Sequence, residues 1–168
     1  MKKALLFLLP ALVQAEPADL SLSIEIPRLK VAEYHRPYVA VWIETPARKP
    51  LKSLSVWYDT EMKDQGGEKW LKDLRQWWRK EGRSAEMPID GVSTPTKPVG
   101  THELLVNGLD IPVLAEGEYT LVVEASREVG GREMLKLPFS WDGRSAVTAE
   151  AQGETELGKV TFTAQAAK

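Results

Sequence analysis

Midway along the chain, Asp90-Gly91-Val92-Ser93-Thr94-Pro95-Thr96 sets hydroxyls three and six positions after a carboxylate, and Lys97-Pro98 follow. A hydroxyl in such a stretch can accept a transferred group only once a partner activates it. Taken by themselves these residues read as an ordinary Asp/Ser/Thr/Pro surface loop. A second group with chemical scope is Trp77-Trp78 beside Arg75, Arg79 and Lys80. Indoles next to cations suit a flat ligand with anionic groups, with Trp78, Trp77 and Arg75 as its contacts. The competing reading makes Trp70, Leu74, Trp77 and Trp78 the core face of a helix. Adjacent residues diverge by about 100° on a helix, so Trp77 and Trp78 cannot share the middle of one buried stripe.

Other chemistry is sparse. His35 and His102 are the only histidines, and neither has carboxylates at ligand spacing, so no metal site is expected. There is no nucleophile elbow, phosphate-cradling loop or paired-carboxylate pattern, and catalysis by the chain alone is not expected. With no cysteine, thiol catalysis, thiolate metal sites and disulfides are excluded. Arg127-Glu-Val-Gly-Gly-Arg-Glu133 reads as a hairpin turn at Gly130-Gly131 with charged flanks, or as a contact surface for a redox partner.

The elements that must position these residues are mostly strands. Leu20 to Ile26 alternates apolar and polar residues, and Tyr38 to Glu44 and Leu51 to Tyr58 are β-branched and aromatic runs joined by a short Pro-flanked link. Thr101–Val106, Glu118–Ala125, Arg132–Trp141 and Lys159–Ala164 continue the pattern. Between them, Glu68 to Lys80 has helical spacing of apolar residues opposite a basic face, with Gly82 as a stop. Residues 81–100 form a long Pro/Gly-rich connection of the length that tends to carry function. The expected fold is all-β: an immunoglobulin-like antiparallel sandwich of about seven strands with one inserted amphipathic helix at 68–80.

The first fifteen residues read as a secretory signal. Met1-Lys2-Lys3 is a basic start, Ala4 to Val13 an apolar run, and Val13-Gln14-Ala15 a small-x-small cleavage site. Cleavage after Ala15 leaves one domain over 16–168, directed to the periplasm. The apolar run is too short to span a bilayer, so stable membrane insertion is not expected. Without Lys2 and Lys3, 20 basic side chains stand against 24 acidic ones, a balance of −4. That mild acidity gives no basis for nucleic-acid binding.

Taken in order, several blocks resemble a family of predicted periplasmic proteins that is defined by a domain of unknown function. They are Arg36–Glu44, Leu54–Trp57, Lys69–Arg79, Asp90–Thr96, Gly117–Ala125 and Arg127–Glu133, together covering residues from about 20 to 162. The resemblance implies a neighbourhood of PepSY-type membrane reductases, FAD:protein FMN transferases and outer-membrane iron-uptake receptors. Relatives carry Asp-x-x-(Ser/Thr)-Gly-Ala-Thr before a basic residue and proline, a pattern that marks covalent FMN attachment through a phosphoester. Carried over, Asp90 matches the Asp, Ser93 the first hydroxyl, Thr96 the acceptor, and Lys97-Pro98 the basic residue and proline. Thr94-Pro95 stand where the pattern has Gly-Ala.

That departure has a physical consequence. Pro95 fixes its own φ near −65° and pushes Thr94 toward extended geometry. A loop that needed positive φ at position 94 would be strained by about 1–3 kcal/mol. Three roles stay open: a periplasmic flavin carrier with FMN on Thr96, a non-flavinylated binding module of the same redox or iron-uptake system, and a scaffold domain without redox role.

Overall fold

The computed structural model describes residues 17–167, so the expected signal segment at 1–15 lies outside the described residues. Two sheets face each other as a mainly-β sandwich. The four-stranded sheet has the order β5-β1-β9-β8 and the five-stranded sheet β4-β3-β2-β6-β7. The strands are β1 Ala18–Ile26, β2 Tyr38–Glu44, β3 Pro50–Tyr58, β4 Ser93–Pro95, β5 Gly100–Val106, β6 Gly117–Ser126, β7 Arg132–Trp141, β8 Val147–Gln152 and β9 Lys159–Ala166. All pairings are antiparallel except β3 with β4.

Side-chain alternation explains which sheet face meets what. In β1 every second residue from Ala18 to Ile26 is buried, and these side chains fill the space between the sheets. Strand β2 is buried on both faces: Val39, Val41 and Ile43 enter the sandwich core, while Ala40 and Trp42 enter a second core behind it. That second core lies between the five-stranded sheet and a helical layer, and contains Val56, Tyr58, Leu71, Leu74, Trp77, Val92 and Val122. Opposite β2, a bulge in β3 around Leu54 shifts the register between Val41 and Trp42.

The structure differs from the expected element list in three places. There are nine strands among the described residues where about seven were expected. The added ones are β8, whose buried-side residues are partly alanine, and β4, three residues ending in proline; neither carries a strong apolar alternation. The single helix expected over 68–80 is instead a 3-10 segment, Lys63–Asp73, and a short α-helix, α1, Arg75–Lys80, broken at Leu74 with φ −76° and ψ 70°. Its buried residues are Leu71, Leu74 and Trp77, three apart. Leu71 lies in the 3-10 segment, Leu74 at the break and Trp77 in α1, and all three enter the second core. The connection 81–100 is also ordered by structure, holding a 3-10 turn at Gly82–Ser84 and strand β4.

Buried polar groups tie the layers together. The Glu124 carboxylate on β6, 0% exposed, accepts the Gln76 N–H at 3.0 Å and the Trp77 N–H at 2.9 Å, and pairs with Arg132 at 3.0 Å. It therefore satisfies the first amides of α1, which have no partner within the helix. Trp77 Nε1 donates to Ser53 Oγ at 2.8 Å, and Ser53 donates to Glu81. Lys80 reaches the Glu44 carboxylate at 3.1 Å.

The Arg127–Glu133 block forms the β6–β7 turn, and within it Arg127 and Glu133 hold the structure together. Arg127 makes a buried two-point pair with Glu156, Nε to Oε2 at 2.8 Å and Nη2 to Oε1 at 3.1 Å. A Cβ on Gly130 would lie 2.4 Å from the Arg127 guanidinium, and one on Gly131 2.8 Å from Glu156 Oε1, so both glycines serve close approach. The Glu133 carboxylate accepts backbone N–H groups from Glu154, Thr155, Glu156 and Leu157 at 2.6–3.1 Å. Burial pushes the Glu133 carboxyl up, but those amide bonds outweigh it and hold its pKa below the ordinary 4.5.

A pH prediction follows for this carboxylate. A depressed folded-state pKa stabilises fully above the unfolded value and loses that stabilisation as pH falls through the folded value. Glu133→Ala is expected to cost about 2 kcal/mol at pH 7, measured by urea unfolding. The difference from wild type should shrink once the pH is lowered below about 4. A deficit that is equal at pH 7 and pH 3 would contradict a charge-dependent role.

Candidate functional site

Strand β4 and the turn before it position the Asp90–Thr96 motif. Val92 and Ser93 N–H both donate to the Ile89 carbonyl, at 3.2 and 2.9 Å, and Gly91 takes the left-handed φ of 68° that this turn requires. Ser93 Oγ accepts the Ile89 N–H at 2.9 Å, closing the turn from the other side. Burial raises the Tyr58 hydroxyl pKa, with Ser93 as the side-chain hydrogen-bond partner that opposes it. Ser93 is thus a turn-holding residue.

Thr94 and Pro95 extend alongside Trp57 and Tyr58 in parallel register. A β-branched residue followed by proline suits an extended edge strand, where the missing proline N–H is not needed for pairing. Thr94 is not among the residues with positive φ, so the strain conceivable at that position does not arise. The Thr94 hydroxyl is buried without a hydrogen-bond partner. Immediately after the strand, Thr96 N–H donates to the Tyr58 carbonyl at 3.2 Å, fixing the acceptor's backbone to β3.

Thr96 lines a cavity of about 470 Å³ at the end of the five-stranded sheet where β2 begins and β3 and β6 end. Its walls include Tyr38 and Asp59 from the sheet ends, Met62 just before the 3-10 segment, Trp70 and Asp73 within it, and His35, Arg36 and Glu128 from flanking loops. Trp70 is 43% exposed, so its indole is available there, and Lys72 sits over the ring at 5.9 Å. Burial raises the Tyr38 hydroxyl pKa, opposed by a hydrogen bond with the Asp59 backbone. Four carboxylates, Asp59, Glu61, Asp73 and Glu128, line the cavity with Arg36 and His35. His35 lies 3.0 Å from Glu33 and 3.6 Å from Glu128.

The other sequence-derived candidates lie elsewhere. Asp90 is exposed and borders a separate groove of about 320 Å³ with Gly91, Val92 and Leu104–Val106. Trp77 is fully buried with its N–H on Ser53, which removes it from ligand contact; Trp78 is half-buried against it, ring centroids 6.5 Å apart. Arg75 is exposed on α1 and Lys97 half-buried just past Thr96. His102 packs edge-on to Trp57 and bonds the Pro98 carbonyl at 2.7 Å. Among the described residues, no three His, Asp or Glu side chains converge as a metal site. Sequence reasoning missed Trp70 as the available indole. The signal was the three-residue repeat Leu71, Leu74, Trp77, which turns Trp70 outward.

Neither the curated proteins nor the solved structures contain a match to this chain. A family model described as "Predicted periplasmic protein (DUF2271)" matches residues 19–159, nearly the whole described chain. Its description agrees with the export expected from the first fifteen residues. Among the described residues no helix is long and apolar enough to cross a membrane. The chain belongs to this family of predicted periplasmic proteins.

Proposed function

We propose that the protein is a periplasmic flavin carrier, with FMN joined by a phosphoester to Thr96, serving a membrane flavin-based redox or iron-uptake system. One observation carries this reading: of the motif hydroxyls Ser93, Thr94 and Thr96, Thr96 is the one that lines the 470 Å³ cavity. A cavity of that size is of the order that encloses a small ligand. The remaining residues suit the group. Trp70 offers an exposed indole for a flat ring, and Arg36 lines the same cavity as Thr96 as a cation for a phosphodiester charge, with Lys97 next to Thr96 in sequence.

Attachment would proceed at Thr96 Oγ, which bonds to the FMN phosphorus of FAD as the pyrophosphate bond breaks. AMP leaves, and the hydroxyl proton passes to the transferase or solvent. When bound, the flavin supplies one- and two-electron transfer, while the chain supplies placement and electrostatics. The partners in this reading are an FAD:protein FMN transferase and a PepSY-type membrane reductase. Its test is a denaturing gel of protein produced with and without a cognate transferase. Flavin fluorescence that co-migrates with the chain only when the transferase is present supports the carrier. Its absence with an active transferase refutes it.

Ser93 enters as a positioning residue. Ser93→Ala removes the acceptor for the Ile89 N–H and is expected to cost about 1 kcal/mol in urea unfolding. It should lower the fraction of chains carrying flavin without abolishing it. Complete loss with a native unfolding midpoint would mean that Ser93 itself takes part in the transfer.

The four carboxylates of the cavity favour a second reading, a non-flavinylated binding module of the same system that recognises a cationic group. The same gel separates the two.

A further inference from the structure

The geometry points to the mouth of the Thr96 cavity as the docking face for a protein partner with a basic surface. Four exposed apolar side chains belong to this side of the molecule. Met62 and Trp70 form part of the cavity wall, at 41% and 43% exposure. Tyr34 and Val129 adjoin the wall residues His35 and Glu128, and the Tyr34 ring lies 6.0 Å from the Arg127 guanidinium.

Val129 is the most informative of them. It is 80% exposed and holds φ at 52°, a region that β-branched residues avoid. The turn is over-determined by Arg127 N–H to Gly131 O at 3.1 Å, Gly130 N–H to Arg127 O at 3.0 Å and the buried Arg127–Glu156 pair beneath. A strained apolar residue held in solvent contributes nothing to this chain's own core, and backbone strain of this kind clusters at functional sites. The framework presents Val129 outward beside the cavity.

Charge selects the partner. Among the described residues the cavity is lined by Asp59, Glu61, Asp73 and Glu128 against Arg36, and with Lys72 over the Trp70 ring the carboxylates still outnumber the arginines and lysines. A second copy of this chain docking the same face about a two-fold axis would set carboxylates against carboxylates. An anionic lipid surface would be repelled for the same reason. A lysine- or arginine-rich protein face with an apolar centre is complementary in both respects. This inference holds whether or not Thr96 is modified. If it is, the docked partner sits at the flavin.

The test is site-specific photo-crosslinking in the cells that make the protein. A benzophenone amino acid replaces Tyr34, aromatic for aromatic, and a control copy carries it at Leu109, 81% exposed near the β5 edge of the other sheet. The expected result is a discrete adduct from position 34 and none from 109, with the crosslinked peptide of the partner rich in lysine and arginine. The combined change Glu61→Lys, Asp73→Lys and Glu128→Lys should reduce that adduct at least ~10-fold. Val129→Asn, which suits the left-handed turn, should raise Tm by about 3 °C yet weaken the adduct. No adduct at 34, an adduct of this chain with itself or with lipid, or one that survives the charge reversal would overturn the proposal.

Discussion

Glu124→Ala is expected to destabilise the protein by about 4 kcal/mol and to loosen the helical layer from the five-stranded sheet. The carboxylate is 0% exposed and holds three groups at once: two amides at the start of α1 and the Arg132 guanidinium. Removing it strands both amides at the layer interface and leaves Arg132 without its partner. Cutting one member from a buried charged network costs more than the network contributes net, because the remaining groups keep their desolvation penalty. Glu124→Gln keeps an acceptor oxygen and the volume but loses the charge, so about half the cost is expected. Urea unfolding followed by tryptophan fluorescence reads both, since Trp77 lies beside the affected amides. A loss under 1 kcal/mol for the alanine variant would show that the layer does not depend on this carboxylate.

Thr96→Ala should fold with wild-type stability and carry no covalent flavin, an all-or-none effect. The side chain is half-buried at a cavity wall, and its backbone bond to Tyr58 survives the change. Thr96→Ser keeps the hydroxyl and should retain modification at a reduced level. Neither Ser93 nor Thr94 is expected to substitute: Ser93 Oγ is engaged with the Ile89 amide, and Thr94 Oγ1 is buried within strand β4. Flavin content can be read from absorbance of the protein after denaturation and desalting. Full flavin content in Thr96→Ala would move the attachment site elsewhere.

Much of the fold was legible because alternation is a direct consequence of one buried face. Ala18–Ile26 shows this cleanly, and the run Tyr38–Glu44, apolar at consecutive positions, reflects a strand covered on both sides. The helical region was harder. Trp70, Leu71, Leu74, Trp77 and Trp78 satisfy a continuous α-helical period well enough to hide the broken one, kinked at Leu74, that buries only Leu71, Leu74 and Trp77 of them. Tertiary packing against Trp42 and Val56 chose between the two. Nothing local to the run Leu121-Val-Val-Glu-Ala125 marks Glu124 as a helix-capping residue, because its partner is 48 residues away in sequence.

The site was legible in part. Thr96 is where a cavity lies, but nothing local to the sequence could place Trp70, Arg36 and Thr96 around one space, since they come from three separate segments. The Gly130-Gly131 pair marked a turn, yet the strained position fell on Val129 because the glycines are needed to pass Arg127 and Glu156. Thr94-Pro95, where the resemblance led us to expect Gly-Ala, proved to be the sequence of an extended edge strand.

On the proposed reading Thr96 is a flavin acceptor. Its most direct test is the intact mass of the protein purified from the periplasm of cells expressing a cognate FMN transferase, followed by peptide mapping. The expected result is a mass increase of one FMN less one water, located on the peptide containing Thr96 and absent from a transferase-free control. An unmodified Thr96 beside a transferase shown to be active on another substrate would contradict it.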